Sequence, residues 1–260
     1  MIKPDGLYSK NDTKNANVFL THFKNLFNNL IGTNFDPTVL EEIRDGQPEN
    51  EEIGITPTKW KISKALKKMR YEKSPGPNGI PTEAFKNLEG KGFDLLFDLI
   101  KKYWEDPEYS PNELTLIKLS ILPKKGDLSN PNKWRGIALG DIIAKIISSI
   151  IALRLTKHLS VFGMDEQCGS IFGKRCADAT FSLKAALETL LEQGQDAQFL
   201  FVDLVKAYDS INRELLWKIL SIYGVPDETI TVLKKLHTDV TYILPVGKEE
   251  VKIGAEVGVN

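Results

Sequence analysis

QFLFVDLVKAYDSI, residues 198–211, sets one acid, Asp203, inside a run of β-forming apolar residues. A short uninterrupted apolar run bounded by polar residues is the pattern of a strand buried on both faces, which predicts a strand over 198–204. A carboxylate in such a run is costly unless something pairs with it. Two readings are open. Asp203 is either a solvated acid on an edge strand, or a metal ligand at the C-terminal end of a buried strand. In the second case the backbone N–H groups of 204–207 turn just beyond it to meet an anion. Asp209 lies past that turn and is expected to cap the following helix.

On either side of this run, helices and hairpins alternate. Upstream, Asp178–Gln193 repeats apolar residues at helical spacing, and Gln167–Arg175 is a glycine-containing loop. Downstream, Asn212–Tyr223 and Asp227–Leu236 read as helices separated by Gly224-Val225-Pro226, and Val240–Leu244 with Glu250–Ile253 reads as a terminal hairpin. Earlier in the chain, Leu116–Pro123 alternates like a strand, Lys124–Trp134 is rich in turn residues, and RGIAL (135–139) is the expected returning strand. Asp141 is placed to cap a long helix running to about Leu159. Lys73–Pro81 holds three prolines and two glycines and must be a shaped loop. Thr56-Pro57 is the expected start of a helix over Trp60–Met69, and Phe19, Phe23, Leu26, Phe27 and Leu30 mark an amphipathic helix near the start. The pattern predicts an α+β fold.

Composition narrows the function classes. Of 260 residues 42% are hydrophobic, and 34 basic side chains against 35 acidic leave a net charge of -1, which excludes both a disordered tail and a globally basic packing protein. The charge is segregated, however. Residues 118–157 carry eight basic side chains against two acidic, a net of +6, whereas Glu41, Glu42, Asp45, Glu49, Glu51 and Glu52 gather before residue 55. Two cysteines are too few for a disulfide framework or a four-ligand zinc site. The longest apolar stretch, 142–155, is broken by Lys145 and two serines, and the opening MIKPDGLYSK has no apolar core, so a soluble intracellular protein without membrane attachment is expected. Arg135, directly after a tryptophan and on a predicted strand, offers a rigid fork of donors suited to phosphate oxygens.

Together these segments resemble the reverse transcriptase domain of non-LTR, LINE-like retrotransposons. The matching stretches are KSPGPNGIPTEAFK (73–86), ILPKKGDLSNPNKWRGIAL (121–139) followed by KIISSIIALRL, EQCGSIFGKRCADATFSL (166–183), FVDLVKAYDSINRELLWKIL (201–220) and GVN (258–260). They stand in the family's order from about residue 56 onward. Where the family's pattern Phe-x-x-Gly-Arg-Gly would fall on 170–175, this chain departs at Ser170 and Arg175.

The resemblance implies a right-hand polymerase: a leader over 1–55, fingers over 56–165 and an incomplete palm of the RRM or ferredoxin-like kind over 166–260, with no thumb. It implies RNA-directed DNA polymerisation with two Mg²⁺ ions, an RNA template, a DNA primer and deoxynucleotide triphosphates as partners. Asp203 falls at the position of the first metal-binding aspartate, with the Leu204 carbonyl beside it. The turn of Leu204, Val205, Lys206, Ala207 and Tyr208 falls at the nucleotide, with the Tyr208 ring beneath the sugar. Arg135 falls at the arginine over the triphosphate, with Lys124 or Lys125 as its companion. Ser74, Pro75, Gly76, Pro77, Asn78 and Gly79, and Gln167, Gly173, Lys174 and Arg175, fall in template-holding loops. The family's Tyr-x-Asp-Asp hairpin has no counterpart in this sequence, which contains no Asp-Asp pair. The resemblance therefore implies a fragment that does not polymerise alone, the alternative being an inactive RNA-binding remnant of a retroelement.

Overall fold

The structure, a computed structural model, describes residues 12–28, 40, 48–162, 164, 166–171, 173–204, 206–246 and 248–259. Leu30, Glu41, Glu42, Asp45, Val205 and Asn260, all singled out above, lie outside the described residues. The chain divides into two compact units, residues 1–150 with 206–260 and residues 151–205.

The first unit is built on a four-stranded sheet in the order β2-β1-β3-β4. The predicted hairpin forms from β1 (Leu116–Pro123) and β2 (Trp134–Leu139), antiparallel with Leu122 opposite Arg135. β3 (Val240–Val246) and β4 (Glu249–Ala255) form the second hairpin, and β3 runs parallel to β1. Alternate residues of each strand face one side: Ile117 and Leu119 on β1, and Val240, Tyr242 and Leu244 on β3, are buried. That face is covered by α1 (Asp12–Phe27), whose Phe19, Phe23 and Phe27 pack into the same core. Phe27 stacks on Tyr242 with ring centroids 4.3 Å apart. Each buried phenylalanine contributes about 1.5–3 kcal/mol of apolar burial, so the sheet's core depends on the amphipathic helix expected within the leader.

Short helices complete this unit: α2 (Glu51–Gly54), α3 (Lys59–Lys68), α4 (Thr82–Lys86), α5 (Gly90–Glu105), then α8 (Arg213–Ile222) and α9 (Asp227–His237) late in the chain. The cap of α3 is Thr58, whose hydroxyl oxygen accepts from the Lys61 N–H at 3.4 Å, and not Thr56. Thr56 instead donates to Glu105 Oε1 at 3.0 Å, so of the two threonines flanking Pro57 the second is left for the helix. Buried Lys235 of α9 donates to the backbone carbonyls of Tyr103, of Asp106 at 2.8 Å and of Tyr109 at 3.4 Å, capping the end of α5.

α6 (Ile142–Phe162) starts in the first unit and continues into the second. Asp141 caps it as expected, its Oδ1 accepting from the Ile143 N–H at 2.7 Å. The second unit then holds α7 (Cys176–Glu192), which buries none of its residues and exposes Phe181 and Leu191. The strand expected over 198–204 does not form: these residues are neither strand nor helix, and Leu200 and Phe201 are 88% and 84% exposed. A strand is stabilised by ladder partners and burial more than by intrinsic preference, and among the described residues nothing pairs with this segment. No helix among the described residues is long and apolar enough to cross a membrane.

Candidate functional site

The link between β1 and β2 is closed by the Lys124 N–H donating to the Lys133 carbonyl at 2.7 Å. Inside it, Asp127 accepts from the Ser129 N–H at 2.9 Å and from the Ser129 hydroxyl, bonds that hold its carboxyl below the ordinary carboxylate value. The Trp134 indole N–H donates to the Leu128 carbonyl at 3.0 Å. The loop's acid and aromatic residue thus serve the loop itself, while Lys124, Lys125, Lys133 and Arg135 stay exposed.

A second basic element meets this hairpin. Lys206, in the left-handed region at φ 53°, opens a turn closed by the Ser210 N–H donating to its carbonyl at 3.1 Å. Asp209 in that turn is raised from its ordinary value by burial, and Lys206 and Lys124 both oppose the shift. His22 of α1 is lowered by burial and further by the same two lysines. The fold therefore brings Lys124 and Lys206, distant in sequence, within electrostatic reach of Asp209. Ala207 is half-buried, and Tyr208 is 69% exposed. Asp209 does not cap α8. That role belongs to Asn212, immediately before the first turn, whose side chain accepts from the Leu215 N–H at 3.1 Å.

The turn is tied to the segment after β4. The Val259 N–H donates to the Tyr208 carbonyl and the Gly258 N–H to the Ile211 carbonyl, both at 3.0 Å. Gly258 sits at φ 81°, and a Cβ there would lie 2.9 Å from the Asp209 carbonyl oxygen, so only glycine fits. Arg213 fixes the clasp through its guanidinium, donating to the carbonyls of Gly258 at 2.7 Å, His237 at 2.5 Å, and Ala255 and Val257 at 3.2 Å each. Reading the sequence missed this arginine, because in INRELL it looks like an ordinary surface charge. Arg213 also lines an open groove of about 1180 Å³ with Trp217 and His237, which none of the expected site residues borders.

The loop of Ser74, Pro75, Gly76, Pro77, Asn78 and Gly79 is anchored to the start of α6. Gly76 is buried, and a Cβ on it would lie 2.6 Å from the Gly140 carbonyl oxygen. Asn78 donates to Asp141 Oδ2 and accepts from the Ile80 N–H at 3.0 Å. Burial raises the Asp141 carboxyl, partly offset by the N–H groups of Ile143 and Ala144 and by Lys145. Gly76 and Asn78 therefore serve the loop's shape, and Ser74, Asn78 and Gly79 are its exposed members.

The remaining expected residues belong to the second unit. Asp203 and Leu204 are exposed, and Gln167 donates through Nε2 to the Gly169 carbonyl at 2.9 Å. Gly173 has φ 86°, and Lys174 is half-buried. Arg175 stands at the start of α7, its N–H donating to Asp178 at 2.6 Å. Among the described residues no three His, Cys, Asp or Glu side chains cluster as a metal site would require. Asp203 belongs to no such cluster, and the described residues do not assemble a two-metal centre.

A mixed α+β unit with a basic hairpin beside a tyrosine-bearing turn agrees with what family comparison finds. The reverse transcriptase (RNA-dependent DNA polymerase) profile matches residues 122–252, half of the chain. The chain belongs to the reverse transcriptase family. This reverse transcriptase domain is of the non-LTR, LINE-like kind. It is 27% identical over 232 residues to the "Transposon TX1 uncharacterized 149 kDa protein" of Xenopus laevis, covering 86% of this chain and 17% of that protein. It is 24% identical over 201 residues to the "Retrovirus-related Pol polyprotein from type-1 retrotransposable element R2" of Popillia japonica, covering 76% of this chain and 25% of the relative. With the corresponding R1 polyprotein of Bradysia coprophila it shares 27% over 181 residues, 68% of this chain and 17% of the relative. The reverse transcriptase chain thus spans a quarter or less of the length of these relatives.

Proposed function

We propose that the chain is the template- and nucleotide-holding part of an RNA-directed DNA polymerase, with fingers over 56–165 and part of a palm over 166–260. The observation that carries this reading is that exposed Lys124 of the hairpin and Lys206 of the turn both come within electrostatic reach of Asp209, next to the exposed ring of Tyr208. In this reading Arg135 and Lys125, both exposed, join them in holding the triphosphate: the arginine by its fork of donors, the lysines as point charges. Tyr208 lies beneath the sugar. The exposed parts of the 74–79 and 167–175 loops hold the template backbone. Reverse transcriptases generally use divalent metal ions. Asp203 stands at the position where the family resemblance expects a metal ligand, and because no three His, Cys, Asp or Glu side chains cluster among the described residues, nucleotidyl transfer is not assigned to them. The alternative reading is an RNA-binding remnant that does not polymerise.

The test is binding of an RNA-template, DNA-primer duplex, followed by fluorescence anisotropy across a salt series. Neutralising Lys124, Lys125 and Arg135 together to Gln is expected to weaken binding at least tenfold and to flatten the logarithmic salt slope by roughly two to three, about one unit for each phosphate no longer neutralised. An unchanged affinity and slope would remove the hairpin from the interface. Addition of dTTP opposite a template adenine separates the readings: tightened binding supports the polymerase part, and indifference to the nucleotide supports the remnant.

A further inference from the structure

α3 has two faces of different kind. Ile62, Ala65 and Leu66 are buried and hold the helix to the protein. Trp60, Lys64, Lys67 and Lys68 follow one another at intervals that put them on one outward stripe, about 12 Å long at 1.5 Å per residue. Tyr71 follows just past the helix end. Trp60 is 65% exposed and Tyr71 60% exposed, which is unusual for large aromatic side chains. Lys64 Nζ lies 4.6 Å from the Trp60 ring centroid, and Lys86 Nζ lies 3.8 Å from that of Tyr71. Residues 59–73 carry seven basic side chains and a single acid, Glu72. Asp94 on α5 is paired with Lys59 at 2.5 Å. Among the described residues no carboxylate lies within ion-pair distance of Lys64, Lys67 or Lys68.

We propose that this stripe is a binding surface for a single-stranded nucleic acid, with a base stacked on Trp60 and the backbone phosphates on Lys64, Lys67 and Lys68. The charge complements a polyanion, and an exposed indole beside ammonium groups offers the stacking face that such strands use. The stripe does not fit a bilayer, because the apolar side of the helix is already buried against the protein. The proposal rests on the reading that this chain handles nucleic acid, but it concerns residues outside the 124–135 hairpin and the 74–79 loop.

The experiment titrates the 260-residue chain with 12-nucleotide oligo(U), 12-nucleotide oligo(dT) and a DNA duplex of the same length, reading tryptophan emission and the anisotropy of labelled strand. Single strands are expected to quench emission saturably, oligo(U) binding tighter if RNA is the natural occupant and oligo(dT) if DNA is. Trp60→Ala is expected to weaken binding about tenfold, the loss of one base–aromatic stack, at an unchanged melting temperature, and Trp60→Phe to restore most of the affinity while losing the quench. Lys64, Lys67 and Lys68 changed together to Gln should lower the single-strand salt slope by about two. Unchanged affinity in Trp60→Ala, equal and Trp60-independent binding of duplex, or a response to anionic vesicles but not to oligonucleotides would each overturn the proposal. The Lys124, Lys125 and Arg135 triple variant keeps the Trp60 quench if the surfaces are separate. Weakened duplex binding in that variant with no Trp60 response in any protein would defeat the stripe and leave the hairpin reading standing.

Discussion

Lys235 and Arg213 direct their charges at backbone carbonyls, and at these positions a neutral replacement leaves acceptors stranded. Lys235→Met should destabilise the protein by about 2–3 kcal/mol, the cost of leaving buried carbonyls without a donor, measured by urea unfolding. A loss under about 0.5 kcal/mol would show that water replaces the ammonium. His237 gives the protein a pH dependence. Its Nε2 is buried without a partner, and burial lowers the ring from the ordinary value of 6.5, as it does for His22. Because both folded-state values lie below the unfolded one, the unfolded chain binds more protons below about pH 6.5. Stability contributed by the neutral rings is therefore present at pH 7.5 and lost as the pH falls through that window. His237→Gln should shrink the drop in melting temperature between pH 7.5 and 5.5, and an equal drop in the variant would assign it elsewhere. None of these roles was legible in the sequence. KKLH at the end of a helix reads as a solvated basic turn, and only the packing of α9 against α5 buries the second lysine.

The two hairpins and most helices could be read at the level of elements, since alternation and 3.6-residue spacing are local properties. β1 coincides with the expected strand, and Asp141 caps α6 as its position suggested. The 198–204 run failed for the opposite reason: its apolar pattern specifies what a strand needs on both faces but cannot supply the neighbours. Gly136 shows a requirement of the same non-local kind. A Cβ there would lie 2.9 Å from Leu119 Cδ1 and 3.1 Å from Phe23 Cε1, so Gly136→Ala should cost about 1–3 kcal/mol by overpacking α1 against the hairpin. A neutral result in thermal melts would mean that α1 shifts freely over the sheet. The clasp after β4 is also testable. Arg213→Lys cannot reach four carbonyls at once, and hydrogen exchange at the Gly258 and Val259 amides should quicken relative to the sheet amides. Uniform exchange across both would dissociate the arginine from the clasp.

For the whole molecule, a net charge near zero conceals a basic hairpin, a basic helix and an acidic stretch, and that segregation was visible in the sequence. The family was legible too, because five motif blocks stand in one order. What could not be read was which motif residues the fold spends on itself. Gly76 and Asn78 anchor their loop, Asp127 folds its own turn, and among the described residues Asp203 joins no cluster of three ligand-type side chains. In the proposed reading, the nucleotide-side surface that remains is Lys124, Lys125, Arg135 and the turn bearing Tyr208. The most direct measurement of this claim is ultraviolet cross-linking of radiolabelled dTTP to the chain in the presence of an RNA-template, DNA-primer duplex, with labelled peptides mapped by mass spectrometry. The account predicts label on residues 124–135 and 206–209, competed away by unlabelled dTTP. Label confined to other peptides, or label that unlabelled dTTP does not displace, would contradict it.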